Sequence, residues 1–280
     1  VVLAIGTELA ETDYDVFFGG GFEIPGALLR IDIDSDQTVR NYLPTLALVA
    51  DARLAAEALL AALSQRSLAP RETAWGAARA QRLRLDVDAQ WDAPTRAQTH
   101  FIHCVFDVLP DAVCVGDSTQ PVYTGNFTFN PAQPRRWFNS ATGYGTLGYA
   151  LPAAVGAWLG RRAAGKAGGP VVCLIGDGGL QFTLAELASA VEARTPIIVL
   201  LWNNQGYGEI KKYMLNRGIE PVGVDIYTPD LVGVARALGC AAESVADEAQ
   251  LRTALATAAG RQGPSVIEID EHQWQQSLGL

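Results

Sequence analysis

The chain has 280 residues, 49% of them hydrophobic and 18% charged, which excludes a disordered chain, since such a chain buries too little apolar surface to offset its ordering entropy. A formal net charge of -9 argues against nucleic acid as a partner, because a binder needs a basic face against the phosphates. No run approaches the roughly 18 apolar residues of a membrane span, and the 28 glycines and 14 prolines show no period that would indicate a collagen-like or solenoid chain.

Residues 1–63 alternate strand-like and helical runs. Val1–Ile5 opens the chain in an apolar strand pattern with no Met before it, as expected of the later part of a longer polypeptide. Ala27–Ile33 and Leu46–Val49 are the next strands. Asp51 is placed to cap a helix in which Leu54, Ala58 and Leu59 recur at helical spacing. Strands alternating with helices imply a parallel sheet covered by helices, of which this stretch supplies only a part. Residues 64–96 change character. Arg66, Arg71, Arg79, Arg82 and Arg84 lie among Pro70, Pro94 and many alanines, the composition of a linker carrying one solvated helix near Glu72–Arg84.

Residues 97–280 form a second βα series. Strands are expected near Ala112–Val115, Val171–Ile175, Ile197–Trp202 and Ser265–Ile269, and helices near His100–Val108, Leu151–Leu159, Leu184–Ala193, Pro229–Leu238 and Glu248–Ala259. The continuous apolar runs VVCLI and IIVLLW suit a sheet buried on both faces. Ligands of such sheets gather beyond the carboxyl ends of the strands.

Two of those ends carry unusual chemistry. After VVCLI comes Gly176-Asp177-Gly178-Gly179, then a helix opened by the T-x-x-E pattern of a capping box, Thr183 and Glu186. The glycines let backbone amides approach a phosphate, and a helix N-terminus favours anions. Asp177 is itself an anion there, so it shares the place with a phosphate only through a cation, and Mg2+ suits carboxylate and phosphate oxygens together. After IIVLLW comes Asn203-Asn204-Gln205-Gly206-Tyr207-Gly208. Asn204 follows Asp177 by 27 positions (204 − 177), one complete βαβ step, and successive strands of such a unit usually neighbour each other. Asp177, the Asn204 side chain and a backbone carbonyl freed by Gly206 then form a hard-oxygen set. Either cluster alone reads as an ordinary Gly/Asp/Asn turn; both at this separation point to a metal-bridged phosphate.

These residues resemble the thiamine-diphosphate motif of the acetolactate synthase and 2-oxo acid decarboxylase superfamily, and the resemblance covers nearly the whole chain. It implies an α/β fold: a three-layer αβα, parallel-sheet, diphosphate-binding domain over 97–280, preceded by the C-terminal part of a Rossmann-like middle domain over 1–63 and a linker with one helix over 64–96. It implies thiamine diphosphate and Mg2+ as cofactors. Asp177, Asn204 and the Gly206 carbonyl would hold the metal with two diphosphate oxygens, and Gly178 and Gly179 would offer amides to the diphosphate, with Gly176 and Tyr207 beside them. In Gly143-Tyr144-Gly145-Thr146-Leu147-Gly148-Tyr149-Ala150-Leu151-Pro152-Ala153-Ala154, the family pattern G-x-x-G-x-x-L-P-A-A makes Leu147 the wedge that bends the cofactor and the Gly145 carbonyl the acceptor of its amino group. Asp117-Ser118-Thr119-Gln120 stands where the family has a third cofactor loop, with Thr119 and Gln120 as weaker candidates.

The residue after Gly206-Tyr207-Gly208 faces the substrate in the family. Here it is Glu209, which suits a guanidinium bound bidentately and equally suits a helix start whose dipole it complements. The opening VVLAIGTELAETDYDVFFGGGFEIPGALLRIDID resembles the 5-guanidino-2-oxopentanoate decarboxylases of arginine breakdown. The expected reaction is therefore non-oxidative decarboxylation of that acid to 4-guanidinobutanal and CO2. A carboligase of the acetolactate synthase kind and a non-catalytic cofactor-binding subunit are the alternatives. Nothing in the chain matches the glutamate by which family enzymes activate the pyrimidine ring, so it is expected from the N-terminal domain of a partner subunit in a homodimer or homotetramer, and this segment alone is expected to be inactive.

The remaining reactive residues carry less. Cys104, Cys114, Cys173 and Cys240 lie far apart with no C-x-x-C, as small buried hydrophobes of a reducing, cytoplasmic compartment. His100 and His103 are spaced H-x-x-H, but no further ligand accompanies them as a zinc site would need, and no dinucleotide fingerprint G-x-G-x-x-G with its trailing acid is present.

Overall fold

Val2–Ile5 (β1), Leu28–Asp32 (β2) and Leu46–Val49 (β3) pair in parallel, in that order, in a computed structural model that describes residues 1–10, 21, 23–68, 75–141, 144–165 and 168–280. Ala52–Ser64 (α1) follows, its N-terminus capped by the Asp51 carboxylate, which accepts the Leu54 amide at 3.0 Å. Arg30 in β2 is only 2% exposed. A buried cation needs partners, and its guanidinium donates to the carbonyls of Thr7 (2.8 Å), Arg40 (2.5 Å) and Tyr42 (3.2 Å). The linker helix is Trp75–Asp88 (α2); Pro70, Arg71 and Glu72, where the sequence places its approach, lie outside the described residues, as does Gly143. Residues 1–87 and 88–280 form two compact units.

The second unit is a six-stranded parallel sheet. Its strands are Val113–Gly116 (β4), Trp137–Asn139 (β5), Val171–Gly176 (β6), Ile198–Asn203 (β7), Ala241–Val245 (β8) and Ser265–Asp270 (β9), in the order β5-β4-β6-β7-β9-β8. Side chains of a strand alternate between faces, and here both sets are buried. Val172, Leu174, Ile198, Leu200 and Trp202 join one core with Phe101 and Trp274, whereas Val171, Cys173, Ile175, Val199 and Leu201 join the other with Leu151 and Leu187. Ala93–Val108 (α3), Glu248–Ala259 (α10) and Glu271–Ser277 (α11) cover the first face. Ala150–Ala163 (α5), Glu186–Glu192 (α7) and Leu231–Ala237 (α9) cover the second. The result is the expected three-layer αβα arrangement.

The local departures have local causes. α3 begins at Ala93 rather than near His100, because Asp92 caps it by accepting the Thr95 amide at 2.9 Å and Pro94 sits in its first turn, where a missing N–H costs nothing. The capping box at Thr183 and Glu186 does not form. A short helix, Asp177–Phe182 (α6), occupies the preceding residues, so Thr183 terminates it, and the Thr183 hydroxyl donates to the Gly148 carbonyl at 3.1 Å. Gln120–Thr128 (α4) and Gly208–Asn216 (α8) open directly on site residues. The edge strands β5 and β8 carry no apolar run, being half-buried or exposed over most of their length, and so leave little mark in the sequence.

Candidate active site

The chain leaves β4 for α4 on one face of the sheet, and leaves β6 for α6 and α7 on the other. β4 and β6 are neighbours, so the crevice beyond their carboxyl ends is the point where the strand order reverses, the place ligands take in open α/β sheets. A cavity of about 160 Å3 opens there. It is walled by Thr119, Gln120 and Tyr123 on one side, Gly145 and Leu147 above, and the loops after β6 and β7 opposite.

The loops after β6 and β7 meet. Asp177 is 1% exposed at the start of α6. The Asn204 side-chain oxygen stands 3.2 Å from Asp177 Oδ1 and 2.8 Å from the Gly206 carbonyl, so three acceptors face one another. Turning the amide over would answer both with an N–H, but would set Asn204 Oδ1 against Gln120 Oε1 at 3.0 Å. One carboxylate, one amide and one carbonyl oxygen form a hard-donor set. Mg–O bonds of about 2.0–2.1 Å place adjacent oxygens about 2.9 Å apart, near the two separations found here. The residues present therefore fit Mg2+. Among the described residues no group of three His, Cys, Asp or Glu side chains converges in the manner of a softer metal's site.

Burial pushes the Asp177 carboxyl above its ordinary value, while the Thr228 hydroxyl and the amides of Asn204 and Gly178 hold it down. The Thr228 hydroxyl donates to Asp177 Oδ2 at 2.9 Å, leaving Oδ1 toward Asn204. A side chain on Gly178 would meet the Tyr207 ring at 2.8 Å, so only glycine lets the two loops close. Gly145 takes a φ of +61°, a left-handed conformation that glycine adopts without steric cost, and half-buried Leu147 beyond it lines the cavity. Gly176 and Gly179 line the floor, with Thr119 Oγ1 2.9 Å from where a Gly176 side chain would stand. Glu209 lies in the first turn of α8 and accepts from Gln120 Nε2 at 3.3 Å.

Three groups were not expected from the sequence. Thr228 is masked by the turn residues Pro229 and Asp230 that follow it. Asp117 is wholly buried and accepts the Gly148 amide at 2.8 Å; its signal is that Gly116-Asp117 after β4 repeats Gly176-Asp177 after β6. Glu271 stands at the start of α11, and burial pushes its carboxyl above the ordinary value, with Trp202 and Asn204 opposing. The histidines lie elsewhere: His100 pairs with Glu248 at 2.7 Å and His103 stands edge-on to Phe129 at 6.0 Å. The four cysteines are free and buried, and burial pushes the Cys104 and Cys240 thiols to about 11 and Cys114 to about 12, away from thiolate chemistry.

Residues 117–269 match the family of thiamine pyrophosphate enzymes at its C-terminal TPP binding domain. The chain belongs to this family. A Pseudomonas aeruginosa protein described as "probable 2-ketoarginine decarboxylase AruI" is 42% identical over 272 residues, 96% of this chain and 46% of that protein. The acetolactate synthase isozyme 3 large subunit of Escherichia coli is 28% identical over 238 residues, 82% of this chain and 40% of its own length. Benzoylformate decarboxylase from Polynucleobacter necessarius has a similar structure, with a TM-score of 0.68 at 25% identity, over 96% of this chain and 48% of that one. The chain thus spans about half the length of these relatives.

Proposed function

We propose that the protein to which this chain belongs is a thiamine-diphosphate- and Mg2+-dependent 2-oxo acid decarboxylase, acting on 5-guanidino-2-oxopentanoate (2-ketoarginine). The observation that carries the cofactor reading is the convergence of Asp177, Asn204 and Gly206 oxygens at the β4/β6 crevice. When bound, thiamine diphosphate supplies the electron sink that lets the bond between a 2-oxo acid's carboxylate and keto carbon break. The side chains of Asp177 and Asn204 and the Gly206 carbonyl would hold Mg2+, and the α6 N-terminus, with the Gly178 and Gly179 amides, would take the diphosphate. Leu147 would hold the cofactor bent, and the Gly145 carbonyl would orient its amino group.

The substrate reading rests on Glu209. Its carboxylate at the cavity wall would neutralise the guanidinium by a charge-assisted pair, leaving the 2-oxo acid end toward the cofactor. The balanced reaction consumes one proton: the 2-oxo acid carboxylate and H+ give 4-guanidinobutanal and CO2. This fits the name of the Pseudomonas aeruginosa relative and would place the enzyme in arginine breakdown.

The activating glutamate and the covering of the cavity would come from the N-terminal domain of a partner subunit in a homodimer or homotetramer. The exposed rings of Tyr144, Phe182 and Tyr227, each close in sequence to a site residue, supply apolar surface for that contact. Residues 1–63 read as part of a Rossmann-like middle domain, since β3 is exposed along its length. The buried free thiols suit a reducing, cytoplasmic setting, and no described helix is long and apolar enough to cross a membrane. The experiment is a screen of 2-oxo acids with the full-length protein, Mg2+ and thiamine diphosphate. Free aldehyde from the guanidino acid supports the proposal; a hydroxy-keto acid supports instead the carboligase chemistry named for the Escherichia coli relative. Cofactor binding with no turnover of any 2-oxo acid would indicate a non-catalytic subunit.

A further inference from the structure

We propose that Gln120 is a positioning residue: oriented by Glu209, it turns the Asn204 amide so that its oxygen, not its nitrogen, faces Asp177 and Gly206. The inference rests on the Mg2+ reading of that oxygen cluster.

The argument follows donors and acceptors. An ionised carboxylate has no proton to give, so the end of Gln120 that lies 3.3 Å from Glu209 Oε2 must be its Nε2. The other end, Oε1, is then an acceptor, and the Asn204 atom 3.0 Å from it must be Nδ2. Oδ1 is left 3.2 Å from Asp177 Oδ1 and 2.8 Å from the Gly206 carbonyl.

Other orientations move the conflict without removing it. Inverting Asn204 alone sets its oxygen against Gln120 Oε1. Inverting both amides sets Gln120 Oε1 against the Glu209 carboxylate. Of these arrangements, only the one described gathers the unanswered acceptors where a cation can answer them. The chain Glu209–Gln120–Asn204 also joins the wall that would meet the substrate to a ligand of the metal, so an interaction at Glu209 is felt at Asn204 through a single amide.

Two variants separate this role from direct cofactor contact or simple packing. In the full-length protein, thiamine diphosphate binding is followed by quenching of tryptophan fluorescence as Mg2+ is added, a readout independent of turnover. Gln120→Met keeps the length of the side chain and removes both hydrogen bonds. It should raise the Mg2+ concentration for half-saturation about 10–100-fold, as loss of a ligand's supporting partner does. Gln120→Glu made together with Glu209→Gln returns both a donor at position 209 and an acceptor for Asn204 Nδ2, and should bring that concentration back toward the wild-type value. An unchanged Mg2+ requirement in Gln120→Met, or an equal weakening in both variants, would overturn the proposal. A wild-type protein that binds the cofactor without Mg2+ would overturn the metal reading itself, and is told apart because it needs no variant.

Discussion

Asp117 Oδ2 accepts the Gly148 amide at 2.8 Å, so a wholly buried carboxylate at the end of β4 anchors the turn that carries Gly145 and Leu147 into α5. Its other oxygen accepts the Ser118 amide at 2.7 Å, and the Ala150 amide also bonds to it. Asp117→Ala leaves these amides without an acceptor, and a buried donor so stranded costs about 1–3 kcal/mol. Stability in urea should fall by at least about 2 kcal/mol, and hydrogen exchange at Gly148 and Ala150 should accelerate. Unchanged exchange at both amides would show that the turn holds its shape without Asp117.

Burial pushes the Asp117 carboxyl above its ordinary value of 3.8, with the Ser118, Gly148 and Ala150 amides opposing. The folded state therefore binds this proton more tightly than the unfolded one. The corresponding stabilisation is complete below 3.8 and is lost as pH rises through the folded value. The stability of the wild type relative to Asp117→Asn, which does not titrate, should therefore decline from acid toward neutral pH. Urea unfolding at a series of pH values reads this difference directly, and a rise instead would reverse the sign assigned to Asp117.

Thr228 holds Asp177 Oδ2 at 2.9 Å. Thr228→Val keeps the shape and deletes the donor, so the carboxylate can turn away from Asn204. The Mg2+ needed for cofactor binding should rise about 10-fold, the lower end of the range for a ligand's hydrogen-bond partner. Isothermal titration of the full-length protein with Mg2+ at fixed thiamine diphosphate checks it.

Glu209→Gln removes the charge that would pair with a guanidinium. A hydrogen bond to a charged group contributes about 1.5–3 kcal/mol, so at saturating Mg2+ and thiamine diphosphate kcat/KM for 5-guanidino-2-oxopentanoate should fall about 10–100-fold more than for an apolar 2-oxo acid of equal length. Equal losses on both would take Glu209 out of substrate recognition.

Much of the second unit is legible in the sequence because its central strands are buried on both faces. VVCLI and IIVLLW are then continuous apolar runs that can hardly be anything else, and the loops ending them sit at neighbouring strand tips. The meeting of Asp177 with Asn204 follows from that topology and a single βαβ step. What escapes is what depends on three-dimensional approach. Thr228 reaches Asp177 from 51 positions away, and the Gln120 amide links Asn204 and Glu209 across 84 and 89 positions. The capping pattern at Thr183 misleads for a related reason: the Glu186 amide is answered by the Thr183 backbone carbonyl at 2.8 Å and not by the hydroxyl, which donates to the Gly148 carbonyl across the site.

The most direct test of the metal-bridged site is Mg2+-dependent binding of thiamine diphosphate to the full-length wild type and to Asp177→Ala. Loss of the carboxylate leaves two neutral oxygens, too weak a set to hold a divalent ion against water, so Asp177→Ala should show no Mg2+-dependent binding while the wild type saturates. Equal affinity in the two proteins would contradict the assignment of Asp177, Asn204 and Gly206 as the seat of the ion.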